Sequence, residues 1–118
     1  MNMGTPSTTI HRVKLITGFL EKKNDKSNCD AISFEGDTIP EDIIEAFRKD
    51  DYLTIKPRYG DPSWGTPIQY DHLIIEDDQG THTIEIYNRG ILLLTDNTEE
   101  TRRAHRIIYA VKKYIEED

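Results

Sequence analysis

HLIIEDDQGTHTIEI, residues 72–86, sets two runs of alternating apolar and polar residues on either side of an acidic connector that ends in glycine. Alternation of period two is strand grammar, because successive side chains on a strand point to opposite faces. Glycine at the end of DDQG suits a backbone with positive φ, so the segment reads as a β-hairpin. Its register decides the faces. With DDQG as the loop, Glu76 faces Thr81, Ile75 faces His82 and Leu73 faces Ile84. Leu73, Ile75, Ile84 and Ile86 then share one face with His82 at its rim, and Tyr70, His72, Glu85 and Tyr87 occupy the other. A three-residue loop closed by Gly80 would split the apolar residues between both faces, so the first register gives the cleaner buried surface. His72 and His82 lie on opposite faces in the first register and about 13 Å apart in the second. Zinc needs several ligand atoms within about 2.3 Å of the ion, so no metal site is assigned here.

Outward from this hairpin, the chain reads as further strands and two helices. Residues 1–9 are a polar tail. Ile10 to Leu20 carries Val13, Leu15 and Phe19 at odd positions with Arg12 and Lys14 between them, a strand with one buried face. EKKNDKSNCD, 21–30, is too polar to bury and reads as a mobile loop before a short strand, AISFE, at 31–35. Thr38, Pro40 and Glu41 announce a helix over 40–49, with Thr38 as cap and Ile43, Ile44 and Phe47 as its apolar stripe. Tyr52–Lys56 alternates as a strand, with Leu53 and Ile55 on one side. PRYGDPSWGTP, 57–67, holds three prolines and two glycines and must be a loop. Strands over 68–76, 81–87 and 91–95 follow as a meander. A last helix begins at Asp96, with Ala104, Ile107, Ile108, Val111 and Ile115 at i, i+3, i+4, i+7 and i+11. The order β-β-α-β-β-β-β-α describes an α+β fold: a mostly antiparallel sheet of five to six strands with two helices packed on one face. Residues 10–118 form a single domain.

Composition agrees with a folded, strand-rich chain. Isoleucine, sixteen residues, outnumbers leucine, seven, and β-branched side chains suit a pleated surface. Cys29 is the sole cysteine, which excludes an internal disulfide. No apolar run approaches the roughly 20 residues needed to span a bilayer, and MNMGTPSTT lacks the basic and apolar parts of a secretory signal. A cytoplasmic location is the expectation, with no membrane partner. The net charge of −7 argues against general nucleic-acid binding and suits a basic protein partner. A homodimer is also compatible.

The chemistry-bearing residues are few. There is no phosphate loop, dinucleotide fingerprint or nucleophile elbow, and no histidine lies near Cys29 in sequence, so no catalytic residue and no cofactor are assigned. Arg58, Tyr59 and Trp64 are the partner-binding candidates, because Tyr, Trp and Arg in a long loop are the residues that dominate interface energies. Tyr70, His72, Glu85 and Tyr87 are the candidates on the outer sheet face, with His72 opposite Glu85 as a cross-strand ion pair. The last helix carries Arg102, Arg103, Arg106, Lys112 and Lys113, either a basic face for phosphate or cations paired with Glu99 and Glu100. Acids crowd residues 35–51.

The element order, with ITGF (16–19) ending the first strand and THTIEI (81–86) opening a late one, resembles the emfourin-type small protease inhibitors. This chain departs from that pattern in ILLLT (91–95), an extra strand before the last helix, and no functional residue is carried over. The expected function is a small non-catalytic binding protein acting through protein–protein contacts, of inhibitor, immunity or adaptor type. The alternatives are a small enzyme or ligand-binding domain on the outer face, and nucleic-acid binding through the basic helix.

Overall fold

The computed structural model describes residues 8–22, 25–60, 68–88 and 99–116. The hairpin at its centre takes the register with the cleaner apolar face: Leu73 lies opposite Ile84, Ile75 opposite His82 and Glu76 opposite Thr81. Pairing runs one step further, to Asp77 and Gly80, so the turn is only Asp78 and Gln79. Gly80 sits at φ 134, a backbone that L side chains rarely adopt.

The strands are β1 (Ile10–Lys22), β2 (Asp25–Glu35), β3 (Arg58–Tyr59), β4 (Ile68–Asp77) and β5 (Gly80–Asn88), and the helices are α1 (Glu41–Lys49) and α2 (Glu99–Glu116). Among the described residues they build one five-stranded sheet in the order β2-β1-β4-β5-β3. The sheet is mixed. β1 pairs antiparallel with β2 and β4, and β4 with β5, but β3 runs parallel to β5. The expected strand at 91–95 lies outside the described residues.

Two expectations are corrected. Residues 21–30 were expected as a loop, yet β2 begins at Asp25 and Lys22 already pairs with it. The polar sequence is tolerated because β1 supplies the partner for its backbone hydrogen bonds. Tyr52–Lys56 was expected as a strand, and it is a 3-10 turn over Tyr52–Thr54. Asp51 breaks the extended path with φ 53. Burial then falls on Tyr52 and Ile55, three apart, while Leu53 stays 40% exposed. That is the period of a 3-10 turn and not of a strand. Arg103 from α2 pins the turn, donating to the carbonyl of Asp50 at 2.8 Å and to Thr54 Oγ1 at 2.9 Å.

α1 starts one residue later than expected, with Pro40 in the cap position. Thr38 does not cap it; its hydroxyl exchanges hydrogen bonds with the backbone of Glu35, closing a separate 3-10 turn at 36–38. Both helices lie on the same face of the sheet. Ile43 and Phe47 of α1 and Ala104, Ile107, Ile108 and Val111 of α2 are buried with Val13, Leu15, Leu73, Ile75, Ile84 and Ile86 in one core. Ile44 and Ile115 pack partly buried against it. The helices run antiparallel to each other: Asp42 at the start of α1 meets Lys113 and Tyr114, and Asp50 at its end meets Arg106. Among the described residues, no helix is long and apolar enough to cross a membrane.

Candidate binding surface

The sheet face turned away from the helices carries the outer-face residues singled out from the sequence. The ladder aligns Ala31, Ile16, His72, Glu85 and Arg58 across β2, β1, β4, β5 and β3. Arg58 reaches this row because the parallel pairing of β3 sets it directly beside Glu85. Glu85 is the hub. Its Oε1 accepts from Arg58 Nη2 at 3.3 Å and from the Tyr87 hydroxyl at 2.8 Å, and its Oε2 lies 4.0 Å from His72 Nε2. The Arg58 guanidinium also sits 5.6 Å from the centre of the Tyr87 ring, within cation–π range. Burial, and then the hydrogen bond to Glu85, push the Tyr87 hydroxyl above its ordinary pKa, so it stays a neutral donor.

Tyr70 stands opposite Tyr87 on the same face, 4% exposed, in a small apolar cluster with Ile68, Ile16 and Tyr87. It therefore packs beside the Glu85 group. Tyr59 goes the other way. Its register partner is Ile86, on the inner face, so it is turned into the core at 2% exposure. Its hydroxyl donates to Glu100 Oε2 at 2.6 Å, and burial with that bond pushes its pKa well up. Trp64 lies outside the described residues. The structure thus brings Arg58 together with His72, Glu85 and Tyr87, and separates it from Tyr59.

Sequence reasoning passed over two buried acids on the inner face. Asp77 has a fully buried side chain. Its Oδ2 accepts from the Tyr52 hydroxyl at 2.5 Å, and its Oδ1 accepts from the backbone N–H of Gln79 at 2.8 Å. His82 Nε2 lies 3.0 Å from the same Oδ2 but makes no well-directed hydrogen bond, so it acts by proximity. Burial raises the Asp77 carboxyl, yet the Tyr52 and Gln79 bonds and the His82 ring together hold it below its ordinary value. Asp71 accepts from Thr17 Oγ1 at 2.5 Å and lies 3.4 Å from Lys112 Nζ. The signal was in the alternation itself: 71 and 77 share parity with Leu73 and Ile75, so acids there must point inward.

Arg102, Arg106, Lys112 and Lys113 of α2 are engaged with acids, whereas Arg103 bonds the Asp50 carbonyl and Thr54. Arg106 forms a two-pronged pair with Asp50 at 2.9 and 3.1 Å and also reaches Glu99 at 3.2 Å. Arg102 bonds Glu99, and Lys113 lies 2.6 Å from Asp42. Glu100, expected to pair within the helix, instead accepts from Tyr59 and from the Lys56 N–H. An open groove of about 450 Å³ runs between the helices, lined by Ala46, Tyr109 and Ala110 with Asp42, Arg106 and Lys113 among its walls. Among the described residues, no group of three or more His, Cys, Asp or Glu is placed to hold a metal ion.

No family model matches the chain, and no solved structure matches it. It is similar to the uncharacterized protein YJL132W of Saccharomyces cerevisiae (strain ATCC 204508 / S288c), 35% identical over 78 residues, which is 62% of this chain. The chain spans about a tenth of the length of that relative, 10%.

Proposed function

We propose that this protein works by binding another protein through the sheet face opposite its helices, as a cytoplasmic inhibitor, immunity or adaptor protein. The observation that carries this reading is the unequal layering, with a small buried cluster at Ile68 and Tyr70 on the outer face and both helices on the other. Both helices and the main core occupy one face, while the other presents Arg58, His72, Glu85 and Tyr87 in contact with one another, bordered by half-buried Ile16 and Ile74. Tyrosine and arginine are among the residues in which interface hot spots are enriched. The net charge of −7 favours encounter with a basic partner. Arg102, Arg106, Lys112 and Lys113 of α2 lie against Glu99, Asp50, Asp71 and Asp42, which weighs against nucleic-acid binding by that helix.

Affinity capture from native extract tests the reading, comparing the wild type with Ile74→Lys and Arg58→Glu. The expected result is a protein retained in stoichiometric amount by the wild type and lost from both variants, each of which is folded by circular dichroism. No retained species, or equal retention by all three, overturns it. The convergence of Arg58, His72 and Tyr87 on Glu85 also favours a second reading, a small-ligand or acid–base site on the same face. That reading requires a small molecule whose binding falls with Glu85→Gln and His72→Ala but survives Ile74→Lys.

A further inference from the structure

The two edges of the sheet are built very differently. One ends in β3, two residues long and entered through Pro57, a short edge that offers little to a passing strand. The other is β2, eleven residues from Asp25 to Glu35 without a proline, roughly 36 Å at the usual rise. Among the described strands β2 pairs with β1 alone. An edge strand of that length presents a row of outward N–H and C=O groups, the chemistry that recognises another extended strand.

The side chains of residues 30–35 say which strand fits. Ile32 and Phe34 face the helix side opposite Leu15 and Val13, and both are only partly buried at the rim of the core. Phe34 packs edge-on against Tyr114 at 5.5 Å. The apolar layer therefore continues to the edge and stops there half-covered. Ala31, Ser33 and Glu35 point to the other face.

We propose that β2 pairs antiparallel with β2 of a second copy of this chain about a twofold axis through Ser33. In such a pair, residues directly opposite must share a face, so the axis passes through a residue. An axis at Ser33 sets Ile32 against Phe34 of the second copy, twice, extending the apolar layer across the seam. It sets Ala31 against Glu35, so that residues 31–35 of each copy form the pair and the seam stops where the 3-10 turn at 36–38 begins, and it brings no acid opposite an acid. An axis at Ile32 would instead put Asp30 opposite Phe34, and one at Ala31 would put Asp30 opposite Ile32, each setting a charge against an apolar side chain. Each copy carries −7, so the pairing is opposed by net repulsion and strengthens as salt rises. This surface is the edge of the sheet and stands apart from the face proposed above; Ile74→Lys leaves self-association unchanged.

Sedimentation equilibrium over a rising concentration series tests it, at low and at high salt. The mass is expected to double from 13.7 kDa, at lower concentration in high salt. Ser33→Lys places two ammonium groups on the axis and returns the protein to monomer; Ser33 is exposed, so its melting should match the wild type. Ser33→Cys in a Cys29→Ser background should form an intermolecular disulfide with oxidised glutathione, because opposed Cβ atoms in an antiparallel pair stand within disulfide reach. A wild type that stays monomeric at the highest concentration and salt overturns the proposal. So does a dimer that Ser33→Lys leaves intact and Ser33→Cys fails to cross-link.

Discussion

Replacing Tyr52 by Phe removes one oxygen and leaves the ring in place against Phe47 and His82, whose centroids lie 5.9 and 5.6 Å away. What is lost is the hydroxyl donated at 2.5 Å to the fully buried Asp77 carboxylate. A hydrogen bond to a charged group contributes about 1.5–3 kcal/mol, and none of that is returned by water at a site with no exposure. For a chain of this length the loss corresponds to roughly 6–12 °C in melting temperature. The pH dependence carries a sign. Asp77 is held below its ordinary carboxyl value, so its contribution is present above the unfolded-state value and is lost as pH falls through the lower folded one. In Tyr52→Phe the burial of Asp77 is opposed by fewer bonds, its carboxyl rises, and the folded variant takes up a proton that the folded wild type does not. Acid therefore stabilises the variant relative to the wild type. Urea unfolding followed by circular dichroism should show the gap widest near neutral pH and narrowing below about pH 5. A loss under about 0.5 kcal/mol, or a gap that stays constant into acid, would refute the account of Asp77 as a carboxylate held charged by Tyr52.

Two further substitutions probe how the layers are joined. Gly60→Ala builds a Cβ 2.2 Å from the carbonyl oxygen of Tyr87 at a position with φ +82, so β3 must move off β5. The left-handed backbone alone costs about 1–2 kcal/mol, and hydrogen exchange should show lost protection of the Glu85 N–H, now bonded to Pro57 O at 2.8 Å. Arg106→Met removes both bonds to Asp50, whose side chain is only 9% exposed. We expect a lower midpoint in urea unfolding at neutral pH, because the nearly buried Asp50 carboxylate is left without its main partner. The Arg106 bonds are the main reason the Asp50 carboxyl sits below its ordinary value, so this loss too should shrink as pH falls into the carboxylate range.

The groups at the proposed surface were partly legible in one dimension. His72 and Glu85 could be placed opposite each other from the hairpin register, because period-two alternation leaves only one arrangement with a single apolar face. Arg58 could not be added to them, since a parallel pairing between β3 and β5 leaves no local mark in PRYGDPSWGTP. The same pairing turned Tyr59 inward and removed it from the surface. β2 was half seen: its apolar end at AISFE was recognised, and its polar start was not, because an edge strand is held by backbone bonds to β1 that composition does not report.

By itself the sequence determined the alternating faces of β1, β4 and β5 and the apolar stripes of the two helices. Those depend on spacings of two and of three to four residues, and such spacings survive in a linear string. Only the tertiary structure decided where the buried acids Asp71 and Asp77 find their partners. It also decided that Tyr52 caps the hairpin instead of entering a strand, and that Arg58 joins His72 and Tyr87 around Glu85. The Tyr52–Asp77, Arg58–Glu85 and Thr17–Asp71 contacts join groups 25, 27 and 54 residues apart, and which group reaches which carboxylate is settled by distance in space.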